Sequence, residues 1–349
     1  MKLPIICDTH FGFKNDSPVF REYFNNFFKE IFFPYVDANN IKEIVHLGDL
    51  MDRRKYVNFE TAKYVRENFI QELEKRDITM HVMLGNHDVY YKNTNAVNSI
   101  RELFSNSKSI KLYEDFQDAT ICGCSFAIFP WICDENHARF VEFIKNSRSS
   151  IAFGHLELYG YEVLRGIRSE EGLQSSLFER FEMVMSGHYH QKNGDGHINY
   201  LGTQYDMTFA DVNETKGFHI LDTDTKKLQF IINPNKMFYC LIYDDSEEVK
   251  IPDFTKYKKS YIKLIVKNKK SAKQFDKYIN KLYEVEPYEV NIIDEYELIE
   301  ATPEDIDITQ DTLSIIYSDI DENKNYEQQV LNSLKKIMTD LYLESFEVD

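Results

Sequence analysis

Five short apolar runs each end on a motif rich in oxygen and imidazole donors, and this recurrence restricts the fold more than any other feature of the chain. The runs are Leu3–Cys7, Ile44–Leu47, Met80–Leu84, Ser150–Phe153 and Met183–Met185, whose length and apolar continuity mark buried strands. The motifs that follow are Asp8-Thr9-His10, Gly48-Asp49-Leu50-Met51-Asp52-Arg53, Gly85-Asn86-His87-Asp88, Gly154-His155-Leu156-Glu157 and Gly187-His188-Tyr189-His190. Donors at the carboxyl ends of sheet strands converge on one crevice. The glycine that opens four of the motifs lets the backbone turn sharply off the strand, where a side chain would obstruct it.

Between the first two runs, Phe20, Tyr23, Phe24, Phe27, Phe28 and Ile31 recur at helical spacing and define one apolar face. This aromatic stripe is core. A second helix over Thr61–Lys75 precedes the third run, so the order is βαβαβ with right-handed crossovers. Gly217–Leu221 and Leu228–Ile232 flank a polar turn and read as a hairpin that closes the sheet.

Composition changes after Asn233-Pro234-Asn235. Lys256–Lys273 holds eight lysines and no acid, a run whose commonest meaning is a solvated face. Within and beyond it, Tyr261–Val266, Ser271–Tyr283 and Tyr288–Ile293 predict a small βαβ module. An acidic connector, Asp294–Asp307, leads to helical stretches at Asp311–Tyr317 and Tyr326–Phe346. In the last, Tyr326, Val330, Leu334, Ile337 and Leu341 form an apolar stripe flanked by Leu331, Met338 and Tyr342, which needs a partner surface in this chain or in another.

The formal net charge of −17 argues at first against a nucleic-acid partner. Its distribution weakens that objection: Asp294–Asp349 carries 16 acidic and 3 basic side chains, leaving 42 acidic against 38 basic before it. No run approaches the roughly 18 apolar residues of a membrane span, and the first residues have too short an apolar stretch for a signal peptide, so a cytoplasmic protein is expected. The five cysteines, Cys7, Cys122, Cys124, Cys133 and Cys240, lack zinc-site spacing and are read as reduced thiols.

A lone histidine after a strand is ordinarily a hydrogen-bonded core or surface residue, which is the reading given to His46, His81, His137, His197 and His219. Five donor motifs in order are a different matter. Mixed Asp, Asn and His donors without thiolate suit divalent manganese, with zinc, iron or magnesium as alternatives. Two such ions sharing a carboxylate lower the pKa of a bridging water from about 15.7 towards about 7, which supplies a nucleophile for attack on phosphorus. Charge on the phosphoryl oxygens and the leaving alkoxide must also be managed, and His87 and Arg53 fit those tasks.

These motifs resemble the calcineurin-like metallophosphoesterase superfamily and, more narrowly, the SbcD-type nuclease subunits that work with an SbcC-type ATPase, including the recombination endonuclease subunits of T-even-like phages. The resemblance extends through Pro130–Asn136, the Gly154–Gly172 stretch and Tyr200–Thr203, and covers about the first 235 residues. It implies an α/β (α+β) fold: a metallophosphoesterase β-sandwich flanked by helices over 1–235, a small capping domain that helps hold DNA over 236–298, and an acidic linker with C-terminal helices over 299–349. It further implies that Asp8, His10, Asp49 and His190 hold one metal, and that Asp49, Asn86, His155 and His188 hold the second. His87 would assist the leaving group, Asp52 would orient His87, and Arg53 would contact phosphate, whereas Asp88 and Glu157 are given no role of their own.

The function so implied is a metal-dependent 3′→5′ DNA exonuclease and single-strand endonuclease, the nuclease subunit of an ATP-driven repair and recombination complex. DNA is the expected substrate and an SbcC-type coiled-coil ATPase the expected partner, docked through the C-terminal helices, with homodimer formation left open. The aromatic residues Tyr90, Tyr91 and Tyr205 are candidate DNA contacts, with ordinary packing as the alternative. Two other readings of the function compete: a phosphatase or cyclic-nucleotide phosphodiesterase of the same superfamily, and a catalytically silent scaffold subunit. The donor set alone does not separate substrates, because fold and metal chemistry are shared across them.

Overall fold

The structure, a computed structural model, describes residues 1–164, 166–247 and 250–294, with positions 317, 320, 330, 331, 333–335, 337 and 338 of the C-terminal stretch. The acidic connector after Asp294, and most of the helices expected at Asp311–Tyr317 and Tyr326–Phe346, lie outside the described residues; the described positions from 317 to 338 are helical. The chain divides into two compact units, the first formed by Met1–Tyr205 with Thr215–Pro234 and the second by Asp206–Glu214 with the residues after Pro234.

Two six-stranded sheets make up the first unit. In one, Lys2–Ile6, Glu43–His46, Thr79–Met83 and Ile110–Tyr113 run parallel, and the hairpin Gly217–Asp222 and Lys227–Ile232 adds two antiparallel strands beside Lys2–Ile6. In the other, Cys124–Phe129, Ile151–His155, Met183–Gly187 and Ile198–Tyr200 run parallel between antiparallel edges at Gln117–Ile121 and Asn193–Gly194. Residues two apart on a strand face the same side. Leu3, Ile5, Cys7, Val45 and Met83 of the first sheet accordingly pack with Phe126, Ile128, Ile151, Phe153 and Met185 of the second, forming a sandwich core. Alternate residues on the second sheet, Ala127, Phe129, Ala152 and Val184, pack outward with Phe140 and Ile144 of the helix His137–Asn146. A β-sandwich flanked by helices results.

The aromatic helix starts with Pro18 in its first turn, where a missing N–H costs nothing, and runs as Pro18–Phe27, Phe28–Phe32 and Phe33–Ala38. Phe20, Phe24, Phe27 and Phe28 are buried as their spacing predicts. The middle turn, Phe28–Phe32, is π-helical, with i→i+5 bonding, so the apolar face is re-phased there: Phe32 and Phe33 are buried while Ile31 is only half-buried. The same device, at Arg66–Ile70, interrupts the second helix. Of the three tyrosines considered as DNA contacts, Tyr205 is fully buried with its ring stacked on Phe24 at 3.8 Å, whereas Tyr90 and Tyr91 of the hairpin after the third motif are exposed.

The second unit is built on a three-stranded parallel sheet, Phe238–Asp244, Tyr261–Asn268 and Glu289–Asp294 in that order, covered by the helix Ala272–Tyr283. The βαβ module predicted from sequence is its second half, and Phe238–Asp244 is a further strand that the pattern did not reveal. The helix is capped by Ser271, whose side chain accepts the N–H of Gln274, and it buries Phe275, Tyr278 and Leu282 against Ile262, Leu264 and Val266. Lysines of the basic run lie at the rim of this core: Lys269 covers the Phe275 ring at 4.0 Å and Lys258 pairs with Glu286 at 3.5 Å. Among the described residues, no helix is long and apolar enough to cross a membrane.

Candidate metal centre

All five motifs leave the carboxyl ends of parallel strands, three from the first sheet and two from the second, and their side chains meet where those ends adjoin. The two sheets are tied together at that point. His155 Nδ1 donates to the Leu47 carbonyl at 2.8 Å, and the His188 backbone N–H donates to the Asp8 carboxylate at 3.0 Å. Asp8, His10, Asp49 and His188 all adopt positive φ, between 42° and 89°, a region L side chains rarely occupy and one that concentrates at functional sites. Gly85 is required by space: a Cβ there would overlap Oδ1 and the backbone nitrogen of Asp49.

Among the described residues donor atoms converge as three overlapping groups, and the group of His10, Asp49 and His87 joins the other two. In the first, His10 Nε2 faces His190 Nε2 at 3.0 Å, and both lie with an Asp8 oxygen inside a sphere of donors no more than 4.8 Å apart. In the second, Asn86 Oδ1 lies 2.9 Å from His155 Nε2 and 3.0 Å from His188 Nδ1, and Asp49 joins the two imidazoles in a group of the same tightness. Asp49 Oδ2 stands between the sets, 3.7 Å from His10 Nε2 and 3.4 Å from His155 Nε2. Two ring nitrogens pointing at one another across 3.0 Å, and one amide oxygen shared by two imidazoles, are arrangements a cation resolves. The donor set therefore fits two divalent ions with Asp49 shared.

The electrostatics of the metal-free protein agree. Burial opposes charge on His10, yet Asp52, Asp49 and Asp8 outweigh it and raise the imidazole to about 9. His155 behaves alike: burial is overcome by Asp49 and Asp8, and it too rises to about 9. Asp49, despite burial, is held well below the usual carboxylate range by His155, His87 and His10.

His87 is positioned differently. Its Nδ1 donates to the backbone carbonyl of Asp52 at 2.6 Å, its backbone N–H donates to Asp49 Oδ1 at 2.8 Å, and its ring stands edge-on to His10 with centroids 4.9 Å apart. The hydrogen bond that orients His87 therefore comes from the main chain of Asp52, while the Asp52 carboxylate faces His10 Nδ1 at 3.2 Å. Arg53 is turned to Asp16, 3.4 Å from Oδ2, and lies over Tyr56 at 5.1 Å. Glu157 is half-buried, and burial raises its carboxyl.

Sequence reasoning gave Asp88 no role, but its buried carboxylate accepts four backbone N–H groups, from Gly85, Asp49, Leu50 and Met51, at 2.8 to 3.2 Å. It braces the second motif against the third. Only its sequence position after Asn86-His87 could have hinted at this. His46 and His81 are structural, as expected: His46 bonds Thr9 Oγ1 at 3.0 Å, and His81 bridges Tyr113 and Glu43.

Residues 1–192 match the family of calcineurin-like phosphoesterases. The chain belongs to that family. Within it, the chain is 32% identical over 255 residues to "Exonuclease subunit 1" of Enterobacteria phage T4, covering 73% of this chain and 74% of that protein. It is 23% identical over 234 residues to the D subunit of nuclease SbcCD from Staphylococcus saprophyticus, covering 62% of this chain but 56% of that longer relative. A solved structure described as "Structural and Functional Characterization of a Novel Archaeal Phosphodiesterase" aligns with a TM-score of 0.34 at 15% identity, covering 67% of this chain and all of that one. As a calcineurin-like phosphoesterase related to nuclease subunits, the chain is a hydrolase of phosphoesters, and its donor clusters are sites at which such an enzyme can hold metal.

Proposed function

We propose that this protein is a two-metal DNA phosphodiesterase, a 3′→5′ exonuclease and single-strand endonuclease, and the nuclease subunit of an SbcCD-type ATP-dependent repair and recombination complex. The observation that carries the chemistry is Asp49 standing between two donor sets, within 3.4 to 3.7 Å of an imidazole from each. DNA as substrate is supported by the similarity to a phage exonuclease subunit and to an SbcCD nuclease subunit. In this reading 1–235 is the nuclease domain, 236–298 a capping domain that helps hold DNA, and 299–349 the partner-binding tail.

Asp8, His10, Asp49 and His190 hold one ion, and Asp49, Asn86, His155 and His188 the other, with Mn²⁺ preferred by the donor chemistry and Mg²⁺, Zn²⁺ or Fe²⁺ as alternatives. When bound, the pair supplies Lewis acidity and an activated water for in-line attack on phosphorus. His87 keeps Nδ1–H on the Asp52 carbonyl, so Nε2 is the nitrogen that would donate a proton to the leaving oxygen. Asp49 holds the His87 main chain through one oxygen while its other faces the imidazole of His155.

Docking of a coiled-coil ATPase on the C-terminal helix is supported by the apolar side chains exposed there: Val330 is 43%, Leu334 37% and Ile337 52% exposed. The deciding experiment is a nuclease assay of the full chain on linear duplex and hairpin DNA across metals, with and without the copurified ATPase. Manganese-stimulated degradation of DNA is expected. Hydrolysis of a phosphomonoester without nuclease activity at any metal concentration overturns the reading.

A further inference from the structure

Asp8 and His10 both stand in the positive-φ region, at 49° and 42°, with Thr9 between them. Backbone of that kind is strained for L residues and persists only where its surroundings over-determine it. One side of the stretch is held by the second motif: the N–H groups of Asp8 and His10 donate to the carbonyls of Gly48 and Asp49 at 3.0 and 3.1 Å, and the Thr9 hydroxyl donates to the Leu50 carbonyl at 3.0 Å. The other side is held from far along the chain by Tyr205, whose hydroxyl donates to the Thr9 carbonyl at 2.6 Å. Tyr205 is fully buried, its ring stacked on Phe24 at 3.8 Å and edge-on to Phe27 at 5.7 Å, so packing fixes where the hydroxyl points.

His190, which shares a donor group with Asp8 and His10, is held through its main chain as well. Its carbonyl accepts the Thr203 backbone N–H at 3.0 Å and the Lys216 ammonium at 2.9 Å. Lys216 is 4% exposed, and burying an ammonium is costly unless it finds hydrogen bonds. Its stem is anchored at the entry of the strand Gly217–Asp222: the Lys216 carbonyl accepts the Asn233 N–H at 2.8 Å, and at Gly217 a Cβ would overlap the Ile231 carbonyl. Thr203 ties the two anchors together, since its hydroxyl donates to the Tyr205 carbonyl at 3.0 Å while its N–H holds His190.

We infer, on the two-ion reading above, that Tyr205 and Lys216 are positioning residues for the first ion: Tyr205 fixes the peptide between Asp8 and His10, and Lys216 fixes that of His190. Neither residue belongs to a donor motif. Groups that hold metal ligands from behind set the direction of those ligands, and losing one weakens metal binding roughly 10- to 100-fold. At Lys216, position and charge act in opposite senses. A cation so close to a metal ligand repels a metal ion, so its removal would by charge alone tighten binding.

The test uses the full chain, Mn²⁺ as probe, and the variants Tyr205→Phe, Lys216→Met and Tyr113→Phe, the last losing a buried hydroxyl that bonds His81 and not a donor motif. Titration followed by the electron paramagnetic resonance of unbound Mn²⁺ should give two bound ions in the parent and in Tyr113→Phe. Tyr205→Phe and Lys216→Met should each hold one ion as tightly as the parent and the other roughly tenfold or more weakly. Retention of the tight ion shows that each variant is folded. Added to Asp8→Asn, which spares only the second ion, neither change should weaken what remains beyond about twofold. Two ions held at parent affinity in either variant, equal weakening of both ions, or tighter binding in Lys216→Met, overturns the assignment for that residue. A parent that binds a single ion removes the two-ion reading and the assignment with it, whereas two ions in the parent leave that reading standing whichever way the variants fall.

Discussion

Asp88 places no atom among the donor sets, yet its Oδ2 accepts the backbone N–H of Asp49 at 2.8 Å and so fixes the residue that both sets share. The same carboxylate holds Gly85, Leu50 and Met51, which makes it the buried knot between the second and third motifs. Burial and the nearby Asp49 charge raise this carboxyl to about 7, against the pull of the backbone donors.

Removing the knot leaves four buried N–H groups without an acceptor, each costing about 1–3 kcal/mol. Asp88→Ala should therefore destabilise the metal-free protein by at least about 3 kcal/mol in urea unfolding and weaken metal retention, although no donor atom is lost. A loss below about 1 kcal/mol would mean that the loops hold themselves.

Asp49 and Asp8 should differ in what they release. Asp49 borders both donor sets whereas Asp8 belongs to one, so Asp49→Ala should abolish stable binding of both ions and Asp8→Asn should spare one. Elemental analysis after gel filtration reads the stoichiometry directly. Equal losses in the two variants would contradict a shared Asp49.

His87→Ala should lower DNA hydrolysis by roughly 10²- to 10⁴-fold, the range for a lost acid–base group, while leaving metal content near that of the parent. The separation matters because His87 also lies within donor distance of His10 and Asp49. Loss of an ion in this variant would make His87 a ligand and not an acid.

Metal binding should expel protons. His10 and His155 stand at about 9 in the metal-free protein, above the ordinary 6.5, so both are protonated at pH 7 and must be neutral to bind a cation. Mn²⁺ titrations in buffers of different ionisation enthalpy should show about two protons released at about pH 7 and few at about pH 10. Being raised, these groups contribute stability to the metal-free fold that is whole below about 6.5 and is lost as pH climbs through about 9. Metal-free protein should then soften between those values. Stability that instead grows across that window would reverse the sign of both shifts.

Docking through the C-terminal helix predicts that Val330→Asp with Ile337→Asp releases the ATPase partner but leaves metal-dependent cleavage by the isolated chain within about twofold. Copurification of the partner with this double variant would locate the interface elsewhere.

The donor motifs and the strands that carry them were legible in the chain because each is local, whereas the sandwich was expected only from the family resemblance. An apolar run, a glycine and a ligand occupy a few consecutive residues, and the rule that ligands gather at the carboxyl ends of strands does the rest. Helical periodicity likewise exposed Phe20, Phe24, Phe27 and Phe28 as core, but it missed the π-helical turn that buries Phe32, since a one-residue widening is decided by packing against rings distant in the chain, such as Phe218 at 5.2 Å. Phe238–Asp244 was invisible as a strand because its partner lies across a long connection. At the centre itself, three features depended on tertiary structure: that the main chain of Asp52 orients His87, that Asp88 is the brace, and that Arg53 turns to Asp16. Sequence decides which donors a loop possesses. Which way adjacent side chains on one loop turn, and whether a charge finds a partner, is decided by contacts between residues tens to hundreds of positions apart, and those exist only once the two sheets have packed.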